Sequence, residues 1–390
     1  MQRKITILGS TGSIGVNTLD LVRSRSDEFN VVGLTAGENF DLLIKQANEF
    51  KPEIIAISNE KFYSDLISGL NDKNIKVTSG SKGILDVASY PSDLTVIAIV
   101  GYAGLKPTIE SIRHGKTIAL ANKECLVVAG TYINDCLKKY KTNLIPLDSE
   151  HNSIYQIFDF KNPEFVKDIT LTASGGPFLN KDRKFLEQVT PAQAIKHPTW
   201  DMGKKISVDS ATLMNKGLEI IESAHLFPVS IDQIKVIIHP ESIIHSLVTF
   251  IDGSVHAQMG KPDMKIPISY ALSWPHRHKL ENSCLSLNDI KKLTFYSAEP
   301  ENYPSIRLAY QAAKMGGITP AIFNAANEIA VDAFLHNQIK FTDITDIIEK
   351  VLNLDSKLSS NLSTLSIDLI EEADTWTRKT TSELIVNKNA

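Results

Sequence analysis

Residues 4–24 read KITILGSTGSIGVNTLDLVRS and combine a short apolar strand, a glycine-rich turn and the start of a helix. Glycines at positions 9, 12 and 15 permit a tight turn and a close backbone approach, and the helix that follows would direct its first N–H groups at a pyrophosphate. The GxxGxxG spacing differs from GxGxxG, but strand, turn and helix follow in the order that such a motif requires. The stretch therefore predicts a nucleotide-binding βαβ unit, and the alternative is a purely structural turn.

The first 147 residues alternate short apolar strands with segments of helical length. Such alternation predicts a parallel sheet with helices on both faces. The run TVIAIV supports this prediction, because strands covered on both sides are apolar throughout. The predicted strands are residues 4–8, 31–35, 54–58, 95–100, 116–120 and 143–147.

The pattern changes after residue 147. The predicted division is a Rossmann-like domain at 1–147, an α+β domain at 148–274, a Pro-rich linker at 275–304 and a helical domain at 305–390. Within the second segment, SLVTF and SVHAQM form a hairpin-like pair. The predicted fold class is α/β, with an N-terminal Rossmann-like doubly wound sheet, a central α+β domain and a C-terminal helical bundle.

Composition narrows the class of protein. A net charge of −4 over 390 residues gives no sign of a nucleic-acid-binding surface. Three cysteines form neither a CxxC pair nor a disulfide framework, which favours a reducing compartment. No apolar run approaches the roughly 20 residues that span a bilayer, and the chain enters its first strand without a signal peptide. We therefore expect a cytoplasmic protein without nucleic-acid or membrane partners.

Two carboxylates follow the last strand of the first domain in the sequence IPLDSEHN. If extended geometry continues, Asp148 and Glu150 point to the same side. Paired carboxylates at the carboxyl edge of a parallel sheet suit Mg²⁺ or Mn²⁺. The alternative is an exposed polar loop.

A third carboxylate is available in SVDSATLMNKGLEIIES at residues 207–223. Asp209 or Ser210 is predicted to cap a helix there. On that helix Asn215, Lys216 and Glu219 have the spacing of residues that share one face. The alternative is a surface ion pair between Lys216 and Glu219.

Phosphate binding is predicted from ASGGPF at residues 173–178, where Ser174 and two glycines follow a strand and offer a backbone nest. Ser210, Lys216 and His197 could add a hydroxyl and positive charge, although each serine could equally be a cap or turn residue. The next segment, KHPTWDMGKK, places Trp200 and Met202 in a polar loop. A mobile lid over a substrate would explain them, and a loop docked on the core is the alternative.

The second strand ends in AGEN at residues 36–39. An acidic residue at this place usually favours the free 2′-hydroxyl of NAD over the 2′-phosphate of NADP. Glu38 therefore argues against strong selection of NADPH, unless its side chain points to solvent.

Seven stretches together resemble one family, the 1-deoxy-D-xylulose 5-phosphate reductoisomerases, over nearly the whole chain. They are GSTGSIG, ANKE, LDSEH, TASGGPF, HPTWDMGKKISVDSATLMNKGLEIIE, DGSVHAQMGKPDM and NAANEIAV. The resemblance implies a homodimeric enzyme of the non-mevalonate isoprenoid pathway, which rearranges 1-deoxy-D-xylulose 5-phosphate and reduces it with NADPH to 2-C-methyl-D-erythritol 4-phosphate. Family members often carry Lys, Arg or a small polar residue in place of Glu38, so we expect weaker discrimination against NADH.

The resemblance also implies roles for individual residues. The metal ligands are Asp148, Glu150 and Glu219, which hold Mg²⁺, Mn²⁺ or Co²⁺. The catalytic residues are Lys123, Glu150 and His197. The substrate contacts are Lys123, Ser149, Glu150, Ser174, His197, Ser210, Asn215, Lys216 and Glu219, several of them to the phosphate. The NADPH contacts are Thr11, Gly12, Ser13, Ile14, Gly37, Asn39, Asn122, Glu124 and Gly203. The flap residues are Trp200 and Met202.

The residues leave two other functions as alternatives. One is another Rossmann oxidoreductase, such as a metal-assisted hydroxy-acid or semialdehyde dehydrogenase, which would need no phosphate cradle. The other is a non-catalytic nucleotide sensor with a helical interaction domain, which would leave the three carboxylates and the Trp200 loop unexplained.

Overall fold

A computed structural model describes residues 2–200, 202–281, 284–299, 303–355 and 365–389. The chain forms two compact units, neither of them continuous in sequence. Unit 1 consists of Met1–Cys125, Ile133–Tyr155 and Asp263–Ser283, and unit 2 consists of Leu126–Tyr132, Gln156–Pro262 and Cys284–Ala390. The division of the chain at residues 147, 274 and 304 stays a prediction.

Unit 1 contains a seven-stranded parallel sheet with the order β4-β3-β2-β1-β5-β6-β7. Its strands are β1 (Arg3–Leu8), β2 (Phe29–Ala36), β3 (Ile54–Ile57), β4 (Lys76–Ser79), β5 (Leu94–Ile97), β6 (Thr117–Leu120) and β7 (Asn143–Pro146). The predicted doubly wound sheet is confirmed, and its six predicted strands are all present. Only β4 was missed, because its short sequence KVTS lies at the sheet edge and lacks a buried apolar run.

Among the described residues, eight α-helices lie in unit 1 or begin there. They are α1 (Ser13–Arg23), α2 (Phe40–Phe50), α3 (Tyr63–Gly69), α4 (Gly80–Ala88), α5 (Leu105–His114), α6 (Lys123–Tyr140), α7 (Ser149–Ile157) and α12 (Lys265–Ser273). α12 comes late in the chain but packs against α1. The Arg3 guanidinium donates to the Leu272 carbonyl at 2.8 Å, which ties α12 to the first strand.

The strand order reverses between β1 and β5, and ligands of such sheets bind beyond the carboxyl ends of the strands at this point. The glycine-rich turn lies there. Gly9 has a φ of +88°, and a Cβ on it would lie 2.8 Å from the backbone of Ala98. Glycine is therefore required at the position where the turn passes β5.

Unit 2 contains a five-stranded mixed sheet with the order β11-β10-β8-β9-β12. Its strands are β8 (Val166–Ala173), β9 (Ile234–Ile238), β10 (Ile244–Phe250), β11 (Val255–Met259) and β12 (Tyr296–Ser297). β8 and β9 are parallel, and the predicted β10–β11 hairpin is antiparallel as expected. The helices are α8 (Arg183–Leu186), α9 (Pro191–Ala194), α10 (Lys204–Ala211), α11 (Met214–Leu226), α13 (Pro304–Met315), α14 (Thr319–Leu335), α15 (Asp343–Asp355) and α16 (Ile367–Asn389).

The predicted helical C-terminal region is confirmed by α13 to α16, but the prediction for residues 207–223 needs a correction. Asp209 and Ser210 do not cap a helix: both lie inside α10. The helical conformation is then interrupted at Leu213, whose φ is +58°, and α11 begins at Met214. No helix among the described residues combines the length and apolarity needed to cross a membrane.

Candidate active site

The glycine-rich turn of unit 1 is fixed by hydrogen bonds with β2 and α2. The Ser10 hydroxyl donates to Gln46 Oε1 at 2.7 Å, and Gln46 Nε2 donates back to the Ser10 carbonyl at 2.9 Å. The Gly9 N–H donates to the Thr35 hydroxyl at 2.8 Å. α1 begins at Ser13 with Gly12 as a cap that brings no side chain, so an anion can approach the first turn of the helix.

The end of β2 carries Gly37, Glu38 and Asn39. Glu38 is exposed, and its Oε1 accepts from Asn59 Nδ2 at 3.0 Å. The Asn59 backbone N–H donates to the Gly37 carbonyl at 3.1 Å, and Asn59 Oδ1 accepts from the Lys61 N–H at 3.2 Å. The Glu38 carboxylate is therefore held by a neighbouring amide beside the end of β2. Sequence reasoning missed Asn59, which follows β3 in a polar turn without a recognisable signal.

Two predicted cofactor contacts have structural tasks for their side chains. Asn39 Oδ1 accepts from the Leu42 N–H at 3.1 Å and caps α2. Asn122 Oδ1 accepts from the Cys125 N–H at 2.8 Å and caps α6, while its Nδ2 donates to the carbonyls of Ile99 and Gly101 at 2.6 and 2.8 Å. These two amides shape the loops at the carboxyl edge of the sheet.

The ends of β6 and β7 bring a lysine to a carboxylate. Lys123 is the first residue of α6, and its Nζ lies 2.7 Å from Asp148 Oδ2 with both side chains mostly buried. α7 begins at Ser149, so extended geometry does not continue past Asp148 and the predicted reason for placing the carboxylates side by side is wrong. Asp148 and Glu150 are neighbours for another reason: the Glu150 N–H donates to Asp148 Oδ1 at 3.2 Å in the first turn of the helix.

Two further side chains complete this part of unit 1. The Ser149 hydroxyl donates to the Glu150 carboxylate. His151 is fully buried, and its Nδ1 lies 3.6 Å from Asp148 Oδ1. Sequence reasoning gave His151 no role, although its position three residues after Asp148 in a helix would have placed it on the same face.

Unit 2 holds the predicted phosphate residues at the end of β8. Gly175 and Gly176 have φ values of +83° and +66°, and a Cβ on Gly176 would lie 2.9 Å from the Ser210 carbonyl oxygen. The Gly176 N–H donates to the Ser174 hydroxyl at 3.2 Å. The predicted turn is thus packed directly against the end of α10, where Ser210 lies.

His197 is held in one tautomer by its neighbours. Its Nδ1 accepts from the Thr199 and Trp200 N–H groups at 3.2 and 3.0 Å, so the neutral ring carries its proton on Nε2. Nε2 lies 2.9 Å from the Ser174 hydroxyl oxygen and donates to it. Ser174 accepts from both His197 and Gly176, so the hydroxyl hydrogen of Ser174 can be given to a ligand oxygen.

The segment predicted as a flap follows His197. The Trp200 indole is half-buried, with its ring centroid 6.5 Å from that of His245 in a tilted arrangement. Asp201 lies outside the described residues. Met202 and Gly203 lead into α10, with Gly203 at its cap. The flap stays a prediction.

The first two turns of α11 bring together the three residues that were predicted to share a face. Asn215 Nδ2 donates to Glu219 Oε1 at 2.5 Å, and Lys216 Nζ donates to Glu219 Oε2. The Lys216 and Glu219 side chains are only 3% and 0% exposed, so the surface ion-pair alternative is wrong.

Further along α11, burial lowers the pKa of His225, which keeps this imidazole neutral near pH 7.

The predicted residues thus fall into two groups. Those in unit 1 are Thr11, Gly12, Ser13, Ile14, Gly37, Asn39, Asn122, Lys123, Glu124, Asp148, Ser149 and Glu150. Those in unit 2 are Ser174, His197, Trp200, Met202, Gly203, Ser210, Asn215, Lys216 and Glu219. The first group includes the predicted metal ligands Asp148 and Glu150, and the second includes the predicted ligand Glu219 together with the predicted phosphate contacts.

Family models match three parts of the chain. Residues 5–130 match a model described as 1-deoxy-D-xylulose 5-phosphate reductoisomerase. Residues 144–227 match its C-terminal domain, and residues 259–380 match a model described as DXP reductoisomerase C-terminal domain.

Curated relatives with the same name match over nearly their full length. The protein of Microcystis aeruginosa is 48% identical over 387 residues, which cover 98% of this chain and 99% of that protein. The protein of Caldanaerobacter subterraneus subsp. tengcongensis is 47% identical over 378 residues, which cover 97% of this chain and 98% of that protein.

Solved structures show the same architecture. The reductoisomerase from Zymomonas mobilis in complex with NADPH is 40% identical with a TM-score of 0.93, and the match covers 99% of both chains. A DOX-P reductoisomerase in complex with NADPH, fosmidomycin and magnesium is 39% identical with a TM-score of 0.92, and the match covers 99% of this chain and 98% of that one.

The buried pair in α11 generates a stability prediction. We expect Lys216→Met to lower the free energy of unfolding by about 3–5 kcal/mol in metal-free buffer, because it leaves the Glu219 charge buried without its cation. The double variant Lys216→Met/Glu219→Leu should recover most of that loss, since no charge then stays buried. Urea unfolding followed by circular dichroism measures both.

Lys314→Met is the matched control, because Lys314 forms a well-exposed ion pair with Asp232 at 2.7 Å. Its loss should cost at most about 1 kcal/mol. Equal effects of the two lysine substitutions would contradict the prediction.

Proposed function

The chain belongs to the 1-deoxy-D-xylulose 5-phosphate reductoisomerase family, and from that membership we propose how its residues carry out the reaction. It converts 1-deoxy-D-xylulose 5-phosphate to 2-C-methyl-D-erythritol 4-phosphate in the non-mevalonate isoprenoid pathway, with NADPH and Mg²⁺. Membership sets aside the two alternatives weighed from the sequence, another Rossmann oxidoreductase and a nucleotide sensor. The match over 97–98% of the chain to curated relatives carries this conclusion.

The proposed NADPH site lies at the carboxyl edge of the parallel sheet. The close packing at Gly9 and the side-chain-free cap at Gly12 support it, because they leave room for a pyrophosphate at the first turn of α1. The proposed contacts are Thr11, Gly12, Ser13, Ile14, Gly37, Asn39, Asn122, Glu124 and Gly203. Asn39 and Asn122 would contribute through the loops that their side chains fix.

The proposed metal ligands are Asp148, Glu150 and Glu219, with Mn²⁺ and Co²⁺ as alternatives to Mg²⁺. Three carboxylates fit such ions because hard cations prefer oxygen ligands. A bound ion would supply Lewis-acid polarisation of the substrate oxygens and fix their orientation. Lys123 pairs with Asp148 and Lys216 pairs with Glu219, so each of these two carboxylates also has a lysine beside it.

The proposed phosphate cradle consists of Ser174, His197, Ser210, Asn215 and Lys216. The Ser174 hydroxyl accepts from two donors, so it can give its hydrogen to a phosphate oxygen. Lys216 provides the positive charge for a charge-assisted hydrogen bond. Binding energy from this group, remote from the reacting carbons, is available to hold the substrate in place.

Lys123 and Glu150 are proposed as the residues that orient the substrate hydroxyls and handle protons, with Ser149 as a further substrate contact. Two contacts support this. The Lys123 ammonium is held by Asp148, and the Glu150 carboxylate accepts from the Ser149 hydroxyl, so both groups have a fixed orientation. Trp200 and Met202 would cover the bound substrate and exclude water.

We also propose a cytoplasmic homodimer. The three cysteines are free thiols, as a reducing compartment predicts. β11 is one of the two edge strands of the unit 2 sheet; it begins at the exposed Val255, and the exposed Ile251 lies in the turn before it. A twofold axis would pair this edge with its copy and cover these apolar side chains.

The reaction itself is tested by NADPH oxidation. We expect absorbance at 340 nm to fall only when 1-deoxy-D-xylulose 5-phosphate and Mg²⁺ are both present, and to stop when EDTA is added. Glu219→Gln should remove most turnover while NADPH binding, measured by fluorescence titration, stays within about twofold, because a carboxamide is a weaker metal ligand. Wild-type activity of Glu219→Gln would refute the ligand role.

Coenzyme selection tests Glu38. We expect the wild-type enzyme to prefer NADPH with measurable use of NADH, since a fixed carboxylate repels a 2′-phosphate. Glu38→Lys should raise the ratio of kcat/KM for NADPH to that for NADH on the order of tenfold. Asp41→Lys makes the same change of charge at an exposed site in the first turn of α2 and should change the ratio less. A wild-type preference for NADH would overturn the proposal.

The dimer is tested by sedimentation velocity. The wild-type chain should sediment as a dimer, and Val255→Lys should shift it towards monomer because it places a charge at the paired edge. Leu354→Lys is the control, because Leu354 has the same 51% exposure as Val255 but lies on α15. A monomeric wild type, or equal behaviour of the two variants, would refute the proposed interface.

A further inference from the structure

A buried carboxylate on α10 has no part in the site described so far. Asp209 is 1% exposed and directly precedes Ser210. Its Oδ1 accepts from Asn327 Nδ2 at 2.9 Å, and its Oδ2 pairs with Lys205 Nζ at 2.8 Å. Asn327 lies on α14, more than 100 residues further along the chain, in the stretch NAANEIAV.

A second polar contact reaches the same place from α13. The Ser305 hydroxyl donates to the Thr212 carbonyl at 2.7 Å, and Ser305 is fully buried. Thr212 lies between α10 and α11, where Leu213 adopts a φ of +58°. The end of a helix leaves carbonyls without partners, and Ser305 satisfies one of them. α13 and α14 therefore each contribute one hydrogen bond to the end of α10, directly before the break at Leu213.

The Asn327 side chain is fully buried, and among the described residues its Oδ1 has no hydrogen-bond partner. Its Nδ2 donates to the buried Asp209 carboxylate, which an apolar side chain at this position would leave without that donor. What Asn327 adds is one N–H donor that fixes the Asp209 carboxylate, and with it the orientation of the end of α10.

The break matters because the proposed phosphate contacts lie on both sides of it. Ser210 is near the end of α10, while Asn215 and Lys216 are in the first turn of α11. A phosphate can bind all three only if the two helices keep a fixed relation, since a displacement of about 1 Å is enough to lose oriented contacts.

We infer that Asn327 and Ser305 are positioning residues for phosphate recognition: they hold the α10–α11 break so that Ser210 and Lys216 address the same phosphate group. This inference rests on the proposed phosphate cradle. It assigns to the C-terminal helices a role in substrate affinity, exerted through Asp209 and the Thr212 carbonyl.

The test uses a pair of matched variants on α14. Asn324 is also fully buried and also has an unpaired Oδ1, but its Nδ2 donates to Glu328 on the same helix at 3.2 Å. Asn327→Leu and Asn324→Leu therefore remove the same chemistry at the same burial, and only the first removes a contact with α10. Ser305→Ala, which deletes a single hydroxyl, is a milder second variant.

In the full-length enzyme with Mg²⁺ and NADPH, Asn327→Leu should raise the KM for 1-deoxy-D-xylulose 5-phosphate about tenfold and weaken competitive inhibition by inorganic phosphate about as much. The kcat and the KM for NADPH should stay within about twofold. Ser305→Ala should show the same pattern with a smaller change. Asn324→Leu should leave both phosphate measurements within about twofold of wild type, even if it lowers the melting temperature.

The inference is overturned if Asn327→Leu and Asn324→Leu change the phosphate measurements equally, or if Asn327→Leu lowers only the melting temperature. Should Asn327→Leu fail to fold, Ser305→Ala decides: an unchanged KM and phosphate inhibition would sink the idea. The variant Lys216→Ala distinguishes a failure of this inference from a failure of the proposed phosphate cradle. If Lys216→Ala also leaves KM and phosphate inhibition unchanged, the cradle itself is wrong.

Discussion

Both units of this protein contain buried carboxylates, and each of these carboxylates constrains the residues around it. An ionised carboxylate loses its hydration inside a protein and must find a cation or several donors. Asp148, Asp209 and Glu219 are mostly or fully buried, and each is paired with a lysine at 2.8 Å or closer. Removing both charges from water costs free energy, so these buried ion pairs are weak evidence for a contribution to stability. The proposed metal and phosphate sites would account for their placement.

The same constraint explains why short polar sequences fold as they do. In unit 1, Asp148 lies between β7 and α7, and its carboxylate is held by Lys123 at the start of α6 and by the Glu150 N–H in the first turn of α7. In unit 2, Thr212 and Leu213 separate α10 from α11, and the positive φ of Leu213 prevents one continuous helix. The break lets Ser210 and Lys216 belong to different helices, and it creates unsatisfied carbonyls that a buried serine of α13 then pairs.

Asparagine side chains form hydrogen bonds that fix several loops where a cofactor or substrate is expected. Asn39 and Asn122 cap helices at the carboxyl edge of the sheet, and Asn59 holds Glu38. Asparagine is suited to helix caps and turns because its short side-chain amide can form hydrogen bonds with neighbouring backbone groups. A residue in a functional motif can thus act by fixing the shape of a loop instead of touching the ligand.

The sequence by itself determined the parallel sheet, the glycine-rich turn, the hairpin of β10 and β11, the helical C-terminal region and the family. These features depend on local periodicity, turn chemistry and motifs that are read within about 20 residues. The spacing of Asn215, Lys216 and Glu219 likewise predicted a shared helix face, because that relation is local. The short edge strand β4 was missed, since it lacks a buried apolar run.

Only the tertiary structure decided which local predictions are correct and which residues distant in sequence are in contact. It showed that α7 starts at Ser149 and that Asp209 lies inside α10, where packing overrides the capping preference of the sequence. It also brought Asn59 to Glu38, Ser305 to Thr212 and Asn327 to Asp209. Contacts of this kind join residues 21 to 118 positions apart, and a single polar side chain carries no sequence signal for a partner at that distance. The physical reason is that local preferences are encoded residue by residue, whereas the pairing of a buried polar group is settled only when the chain packs.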